Sequence, residues 1–271
     1  MNRNEAPLAP VPAPAPVPDH YRGVWQRRLL ETAHLRDVST TVFWLQTGTW
    51  HADIRIPADR PDFSGIQALA ECSAQQRDWL VRQHGFAGVT QVDGEPAREI
   101  CRWHHLLDFH PPRTEADAGV MQFGPEFLTE TGLDGQYLEH WYLLPDSVDG
   151  FAALQLLDAD GATATPARYL FVAGLYVMYV RNRTLGWPAA TPPGTLLTAD
   201  AAAVQPGLLD FDISFGRRNN VGWQVLHSTL PWREGQAINV RMGVARGDRL
   251  TLTVDGALQE WRILEWSAPL N

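Results

Sequence analysis

The chain has few cysteines. Its 271 residues include two, Cys72 and Cys101, and neither belongs to a closely spaced Cys pair. A framework of disulfide bonds is therefore not expected. Metal sites built on paired Cys ligands are also excluded, because such sites need two Cys within a few residues of each other.

Long apolar segments and clustered positive charge are also lacking. No run of apolar residues approaches the ~18 that a membrane-spanning helix needs. The formal net charge is −9 and the isoelectric point is about 5.4. Nucleic acids and anionic membranes attract clustered Lys and Arg, so neither is expected as a main partner. We therefore predict a cytoplasmic protein. The sequence leaves its oligomeric state open.

The N-terminus has an unusual composition, in which proline alternates with small residues over 8–18. It lacks the continuous apolar stretch of a signal peptide. Such a segment favours an extended polyproline-type arm, and we predict that residues 1–19 form a disordered, solvated tail. A Pro-rich ligand for another domain is the less favoured alternative.

Catalytic and cofactor motifs are missing as well. The sequence has no Gly-x-Ser-x-Gly elbow, no phosphate-binding loop and no dinucleotide fingerprint. Several histidines fall in the first half, but none has the spacing of a two-His-plus-carboxylate metal site. We therefore predict no metal and no cofactor. Haem held by one inward His is a less favoured alternative.

Helical signals are scarce too, and the clearest lies within 62–84. Most of the chain consists of short strand-like segments separated by turns such as Asp134-Gly135 and Asp255-Gly256. Many strands without crossover helices predict antiparallel sheets, closed into barrels or stacked as sandwiches. Barrels are favoured because closure removes exposed sheet edges.

An internal repeat determines the organisation. The segment 134–144 returns as 255–264, and Leu128-Thr129-Glu130-Thr131 returns as Leu250-Thr251-Leu252-Thr253. Upstream, 42–55 aligns with 168–181, and Trp103 aligns with Trp223. Such a duplication predicts two similar β units. We expect an all-β fold of two tandem lipocalin-like antiparallel barrels, at 20–147 and 148–271, with one helix in the first.

A resemblance supports this expectation. Tyr21-Arg22-Gly23-Val24-Trp25 contains the Gly-x-Trp that resembles the first strand of lipocalin-like, or calycin, barrels. In that superfamily the Trp closes the barrel floor and is typically covered by a late-strand Arg. No such Arg is obvious in the first unit, and Gly150-Phe151-Ala152 in the second lacks the Trp. The chain also resembles a family of two-barrel lipocalin-like proteins with bacterial members, named for a fungal relative that binds a casein-kinase-type partner.

Alternation along the strands predicts an interior. Treated as one strand, 42–54 places Val42, Trp44, Gln46, Trp50 and Ile54 inward. In 101–109 the inward set includes Trp103, His105, Leu107 and Phe109, and in 137–143 it includes Glu139 and Trp141. The repeat places Val225 and Gln259 where the first unit has His105 and Glu139. The segment 169–180 is apolar on both faces, which predicts an interface between the units.

These faces give three hypotheses. The first is a barrel that binds a small apolar or aromatic molecule. Its predicted ligand-binding residues are Trp25, Arg27, Trp44, Gln46, Trp50, Trp103 and Trp141. The second is a cofactor-independent isomerase, lyase or cyclase in which His105 and Glu139 move protons. The third is a protein-interaction module whose pocket is vestigial. A cavity too small for any ligand would favour the third.

Overall fold

A computed structural model describes residues 15–95, 98–111, 115–188, 191–192, 195, 204–219 and 222–267. These residues form two antiparallel sheets of nine strands each. The first contains β1 (Gly23–Thr32), β2 (Arg36–Asp37), β3 (Thr41–Gln46), β4 (Trp50–Ile56), β5 (His84–Glu95), β6 (Arg98–Asp108), β7 (Asp117–Phe123), β8 (Phe127–Gly132) and β9 (Tyr137–Leu143). The second contains β10 (Phe151–Leu156), β11 (Arg168–Ala173), β12 (Tyr176–Arg181), β13 (Asp212–Asn219), β14 (Gly222–Ser228), β15 (Ala237–Ile238), β16 (Val240–Arg246), β17 (Arg249–Val254) and β18 (Ala257–Ser267).

The first sheet closes into a barrel, whereas the second stays open. Strand β1 pairs with β3 on one side and with β9 on the other, so that Trp25 lies opposite both Trp44 and Leu143. Eight strands thus form a ring, and β2 pairs only with β1. In the second sheet the described strands run from β15 to β16 without a pairing that joins these two edges. The predicted all-β fold of two tandem units is confirmed, as one closed barrel and one half-barrel.

Both units use the same strand order, which agrees with the duplication. Strands β3 to β9 pair in succession in the first unit, as β10 to β15 and β16 to β18 do in the second, and in each unit the last strand pairs with the first. The repeated Trp residues occupy equivalent strands. Trp141 lies in β9 and Trp261 in β18, and both are about 2% exposed. The repeat in the sequence therefore corresponds to a repeat in the fold.

The predicted helix is shorter than its apolar pattern indicated. Helix α1 spans Ala74–Leu80, and a single 3-10 turn at Leu69–Glu71 precedes it. Ser73 forms a capping box with Gln76, because its hydroxyl accepts from the Gln76 N–H while the Gln76 side chain accepts from the Ser73 N–H. This cap fixes the start of α1. A further short helix, α2, spans Pro206–Leu209.

Two hairpin turns interrupt segments that were predicted as single strands. Residues 47–49 separate β3 from β4, and residues 174–175 separate β11 from β12. After each turn, the opposite set of alternate residues faces the interior of the unit. The interior predicted for the second half of 42–54 is therefore wrong.

The two units share one apolar core cluster. Phe43 of β3 stacks on Phe215 of β13 with ring centroids 4.3 Å apart. Trp50 of β4 lies against Tyr169 and Phe171 of β11, with centroids 6.0 and 6.4 Å away. The segment 169–180 does lie between the units, as predicted from its two apolar faces.

The described end of the Pro-rich arm is packed. Val17 is 3% exposed among the aromatic side chains of the first barrel, and its N–H donates to the Gly48 carbonyl at 2.6 Å. At Val17 the chain is therefore packed rather than solvated, whereas Ala15, Pro16 and Asp19 are exposed, and residues 1–14 lie outside the described part of the chain. In that described part, no helix is long and apolar enough to cross a membrane.

Candidate functional site

The interior of the first barrel has an aromatic end and a charged end. The aromatic end lies where β1 begins. There the Trp44 ring contacts those of Trp103 and Trp141, with centroids 5.4 and 6.1 Å apart. Trp25 lies 6.5 Å from Trp44, and its indole N–H donates to the Tyr21 carbonyl at 2.8 Å. These rings fill the closed end of the barrel.

A buried ion pair lies on the seam where β1 meets β9. The Arg27 guanidinium donates to Glu139 Oε1 at 2.6 Å and to Asp37 Oδ2 at 2.9 Å. All three side chains are largely buried. Burial raises the pKa of Asp37, but hydrogen bonds from Thr40 and Ser39 outweigh burial and hold this pKa far below its usual value. Glu139 is thus an ion-pair partner of Arg27.

Glu130 of β8 is a buried carboxyl group that forms no ion pair with any described residue. It is 4% exposed, and its Oε1 accepts a hydrogen bond from the Tyr137 hydroxyl at 2.7 Å. Burial, and after it the neighbouring Glu139 carboxylate, raises the pKa of Glu130 well above its ordinary value. This environment therefore favours the protonated acid over the carboxylate.

Asp53 and Arg55 of β4 form a second inward pair. Arg55 Nε donates to Asp53 Oδ1 at 2.8 Å, and the guanidinium carbon lies 5.5 Å from the centre of the Phe86 ring. Burial raises the pKa of Asp53, although Arg55 opposes the shift. Both residues follow the turn at 47–49, and that turn points them into the barrel.

His105 of β6 is held between two carboxylates. Its Nδ1 lies 2.7 Å from Asp108 Oδ2, its Nε2 lies 3.1 Å from Asp117 Oδ2, and its ring stacks on Phe86 at 3.8 Å. Burial lowers the pKa of His105, but the hydrogen bonds to Asp108 and Asp117 outweigh burial and raise this pKa overall. The two carboxylates therefore favour the protonated imidazole.

A chain of polar groups crosses the middle of the barrel. The Thr90 hydroxyl donates to Gln46 Oε1 at 2.7 Å and lies 3.0 Å from His51 Nδ1. The Trp44 indole N–H donates to the same Gln46 oxygen at 3.2 Å. Burial and the nearby His105 lower the pKa of His51 well below its ordinary value. His51 Nε2 is buried without a hydrogen-bond partner in the described structure.

A small pocket lies between the aromatic and charged ends and is partly open to solvent. Its lining combines aromatic rings with ionisable groups, namely Trp44, Asp53, Arg55, Phe86, Trp103, Asp117, Glu130 and Trp141. Its volume is about 10 Å³, which is room for about one water molecule. The barrel is thus largely filled by its own side chains.

The structure brings some of the predicted site residues together and separates others. Trp25, Arg27, Trp44, Gln46, Trp103 and Trp141 all lie inside the first barrel and are at most 8% exposed. Trp50 does not, because the turn at 47–49 points it outward against the second unit. His105 and Glu139 form no hydrogen bond with each other, since each is bonded to other side chains.

A β-bulge changes the predicted face of β6. The register with β5 shifts between Ala87 and Gly88, so the alternation along β6 reverses after His105. Leu107 and Phe109 consequently join the core between the units rather than the barrel interior. Gly88 permits this close approach, because a Cβ there would overlap the carbonyl oxygen of His104.

Pattern reasoning missed the carboxylates of the pocket. Asp53 was assigned outward because the turn before it was read as continuous strand. Glu130 was overlooked, although a signal was present, because the repeat aligns it with Leu252. Leu252 is 1% exposed in the core of the second unit. A charged residue at the position of a buried leucine indicates a polar interior in the first unit alone.

Among the residues that the structure describes, no group of three or more His, Cys, Asp or Glu side chains is arranged to hold a metal ion. Cys72 and Cys101 are buried and unpaired.

Comparison with known proteins gives a match at the level of fold. No protein-family model matches the chain, and no curated protein matches it by sequence. A solved structure is similar, that of the uncharacterized protein YLR301w from Saccharomyces cerevisiae. Its TM-score is 0.55 with 11% identity, over 91% of this chain and 99% of the yeast chain. At that identity the similarity shows a shared fold alone.

Proposed function

We propose that the first barrel binds a small molecule with an apolar or aromatic body. The body would contact the indole rings of Trp44, Trp103 and Trp141, and the polar end would face the carboxyl groups. One observation carries this proposal, namely that several buried groups with shifted pKa values surround one partly open, aromatic-lined pocket. Such clusters occur preferentially at functional sites, because buried unpaired charge destabilises a fold.

The second unit supports this division of roles. Where the first unit has Glu130, the repeat places Leu252, and the core of the second unit around it is mainly aliphatic. The second unit thus folds with an apolar residue at the position that Glu130 occupies in the first. We infer that the charges of the first barrel serve binding, and that the second unit is a scaffold.

The lipocalin-like assignment is part of the same proposal. Gly23 and Trp25 open the first strand of a closed eight-stranded antiparallel barrel. Trp25 lies at the closed end, where the Tyr21 carbonyl accepts its N–H in place of a late-strand Arg. Barrels of about eight strands can hold one small molecule, which agrees with a binding role.

Native mass spectrometry of the purified protein tests the proposal. We expect a bound small molecule, or binding of fragments from a set of small aromatic compounds detected by saturation-transfer NMR. Trp103→Leu should weaken binding several-fold to about tenfold, the size of one lost aromatic contact. Trp50→Leu is the matched control, because Trp50 lies outside the barrel, and binding should be unchanged. If no compound binds the wild-type protein, the proposal fails.

The small pocket favours a second candidate function. A volume of about 10 Å³ admits a drug-sized ligand only after side chains move, so a protein-interaction module is the alternative. The same screen separates the two functions, because an interaction module binds no fragment in the barrel. Proton transfer by His105 and Glu139 stays a prediction. A substrate that is still bound but no longer turned over by Glu139→Gln would support it.

A further inference from the structure

We propose that the polar end of the ligand is an ammonium group, which lies beside the Glu130 carboxylate and against the indole rings of the pocket. This inference rests on the proposed function and specifies its ligand class. It follows from three features of the pocket, which are its charge, its aromatic lining and its size.

The pocket has more carboxyl groups than cations. Asp53, Asp117 and Glu130 line it, against the single guanidinium of Arg55, and Asp117 is already paired with His105 at 3.1 Å. Arg55 is engaged by Asp53 at 2.8 Å, and the nearby Arg27 is engaged by Glu139 and Asp37. Glu130 therefore has no described cation of its own. A cationic ligand would supply the missing partner through a charge-assisted hydrogen bond.

The aromatic lining favours the same kind of group. Trp44, Trp103 and Trp141 present three indole rings around the pocket, with centroids 5.4 and 6.1 Å from Trp44. Indole faces attract ammonium groups more strongly than other aromatic faces do, and desolvation strengthens the attraction. Carboxylate and indole together therefore favour a cation over an anion or a neutral group.

The size of the pocket limits the head group. A volume of about 10 Å³ is room for about one water molecule, and an –NH3⁺ group is of similar size. The chain contains no lysine, so none of its own side chains can supply the ammonium group. The aromatic or apolar body would then extend toward the open side of the pocket.

Ammonium binding should be linked to proton release. Burial and Glu139 raise the pKa of Glu130 in the free protein, whereas a bound cation favours the ionised carboxylate and lowers this pKa. Binding therefore expels a proton, and affinity rises with pH as long as Glu130 is protonated in the free protein and the amine remains charged.

The test compares 2-phenylethylamine with 2-phenylethanol, which differ only in the head group. Isothermal titration calorimetry should give at least about tenfold tighter binding of the amine to wild-type protein. In Glu130→Gln this preference should vanish, while in the exposed control Glu126→Gln it should persist. Glutamine keeps an acceptor for Tyr137, so the variant should fold, and circular dichroism verifies this. Titrations of the amine in two buffers of different ionisation enthalpy should reveal proton release.

The outcomes separate this inference from the proposed function. Equal or tighter binding of the alcohol overturns the ammonium assignment and leaves a small-molecule site in place. A preference for the amine that survives Glu130→Gln also overturns it. If neither compound binds but another neutral fragment does, the ammonium assignment falls alone. If no fragment binds at all, both proposals fall together.

Discussion

Gly48 and Glu265 join the two units by a hydrogen bond of 2.6 Å from the Gly48 N–H to Glu265 Oε1. The other carboxylate oxygen accepts from the Thr49 N–H at 2.9 Å and from the Thr47 hydroxyl at 2.8 Å. The turn between β3 and β4 thus binds a carboxylate of β18 with successive backbone donors, an arrangement suited to anions. A Cβ on Gly48 would overlap Glu265 Oε1, so a larger residue at this position would displace the bound carboxylate.

Glu265→Gln should therefore destabilise the protein. The amide keeps one acceptor oxygen but places an NH2 group opposite N–H donors, so charge-assisted hydrogen bonds are lost. We expect a decrease of about 1–3 kcal/mol in the free energy of unfolding, measured by urea denaturation. Glu260→Gln on the same strand is the control. Glu260 forms an exposed pair with Arg249, so its loss should change stability by about 0.5 kcal/mol or less. Equal effects of the two variants would contradict a binding role for the turn.

Arg27→Met should be more damaging than any surface substitution on β1. Removal of the guanidinium leaves the buried Glu139 carboxylate without its cation, which typically destabilises a protein by about 3–5 kcal/mol. Arg28→Met is the matched control, because Arg28 lies on the exposed face of the same strand. The double variant Arg27→Met, Glu139→Gln should recover part of the loss. No recovery in the urea midpoint would show that Glu139 is not the residue left unpaired.

His104 and His105 should have pKa values that are shifted in opposite directions, although the two residues are adjacent. The two hydrogen bonds to carboxylates outweigh burial and raise the pKa of His105, whereas burial and then Arg102 lower that of His104. NMR titration should place them on either side of 6.5, the ordinary pKa of histidine. Charged His105 contributes its full stabilisation below the pKa that it has in the unfolded chain. This stabilisation is lost as pH rises through the pKa of His105 in the folded protein. A His105 pKa below 6.5 would refute the carboxylate arrangement.

The sequence predicts the architecture well and the site only in part. Repetition and turn spacing are properties of whole segments, so they survive local errors of register, and the two-unit β fold follows from them. The orientation of a single side chain is more fragile. One turn at 47–49 moved Trp50 out of the barrel and Asp53 into it, and one bulge turned Leu107 toward the second unit. Neither irregularity has a strong local signature in the sequence, because both depend on contacts between strands.

Glu130→Gln should stabilise the protein at neutral pH while it removes the preference for the amine. Folding raises the pKa of Glu130 above its ordinary value of 4.5. The protonated acid therefore contributes its full stabilisation below the pKa that Glu130 has in the unfolded chain. This stabilisation is lost as pH rises through the pKa of Glu130 in the folded protein. Glutamine resembles the protonated acid at every pH. The variant and wild type should then be equally stable near pH 4, and the variant more stable at pH 8 by at least about 1 kcal/mol.

Urea denaturation across this pH range checks the prediction, and Glu126→Gln serves as the exposed control. For this control the difference from wild type in the free energy of unfolding should not change with pH. Lower stability of Glu130→Gln at pH 8 would mean that Glu130 is ionised in the native state and already stabilised by groups of the protein. The carboxylate would then need no cationic ligand as a partner. Higher stability together with lost amine binding would show that Glu130 is retained at a cost to folding, as residues of binding sites commonly are.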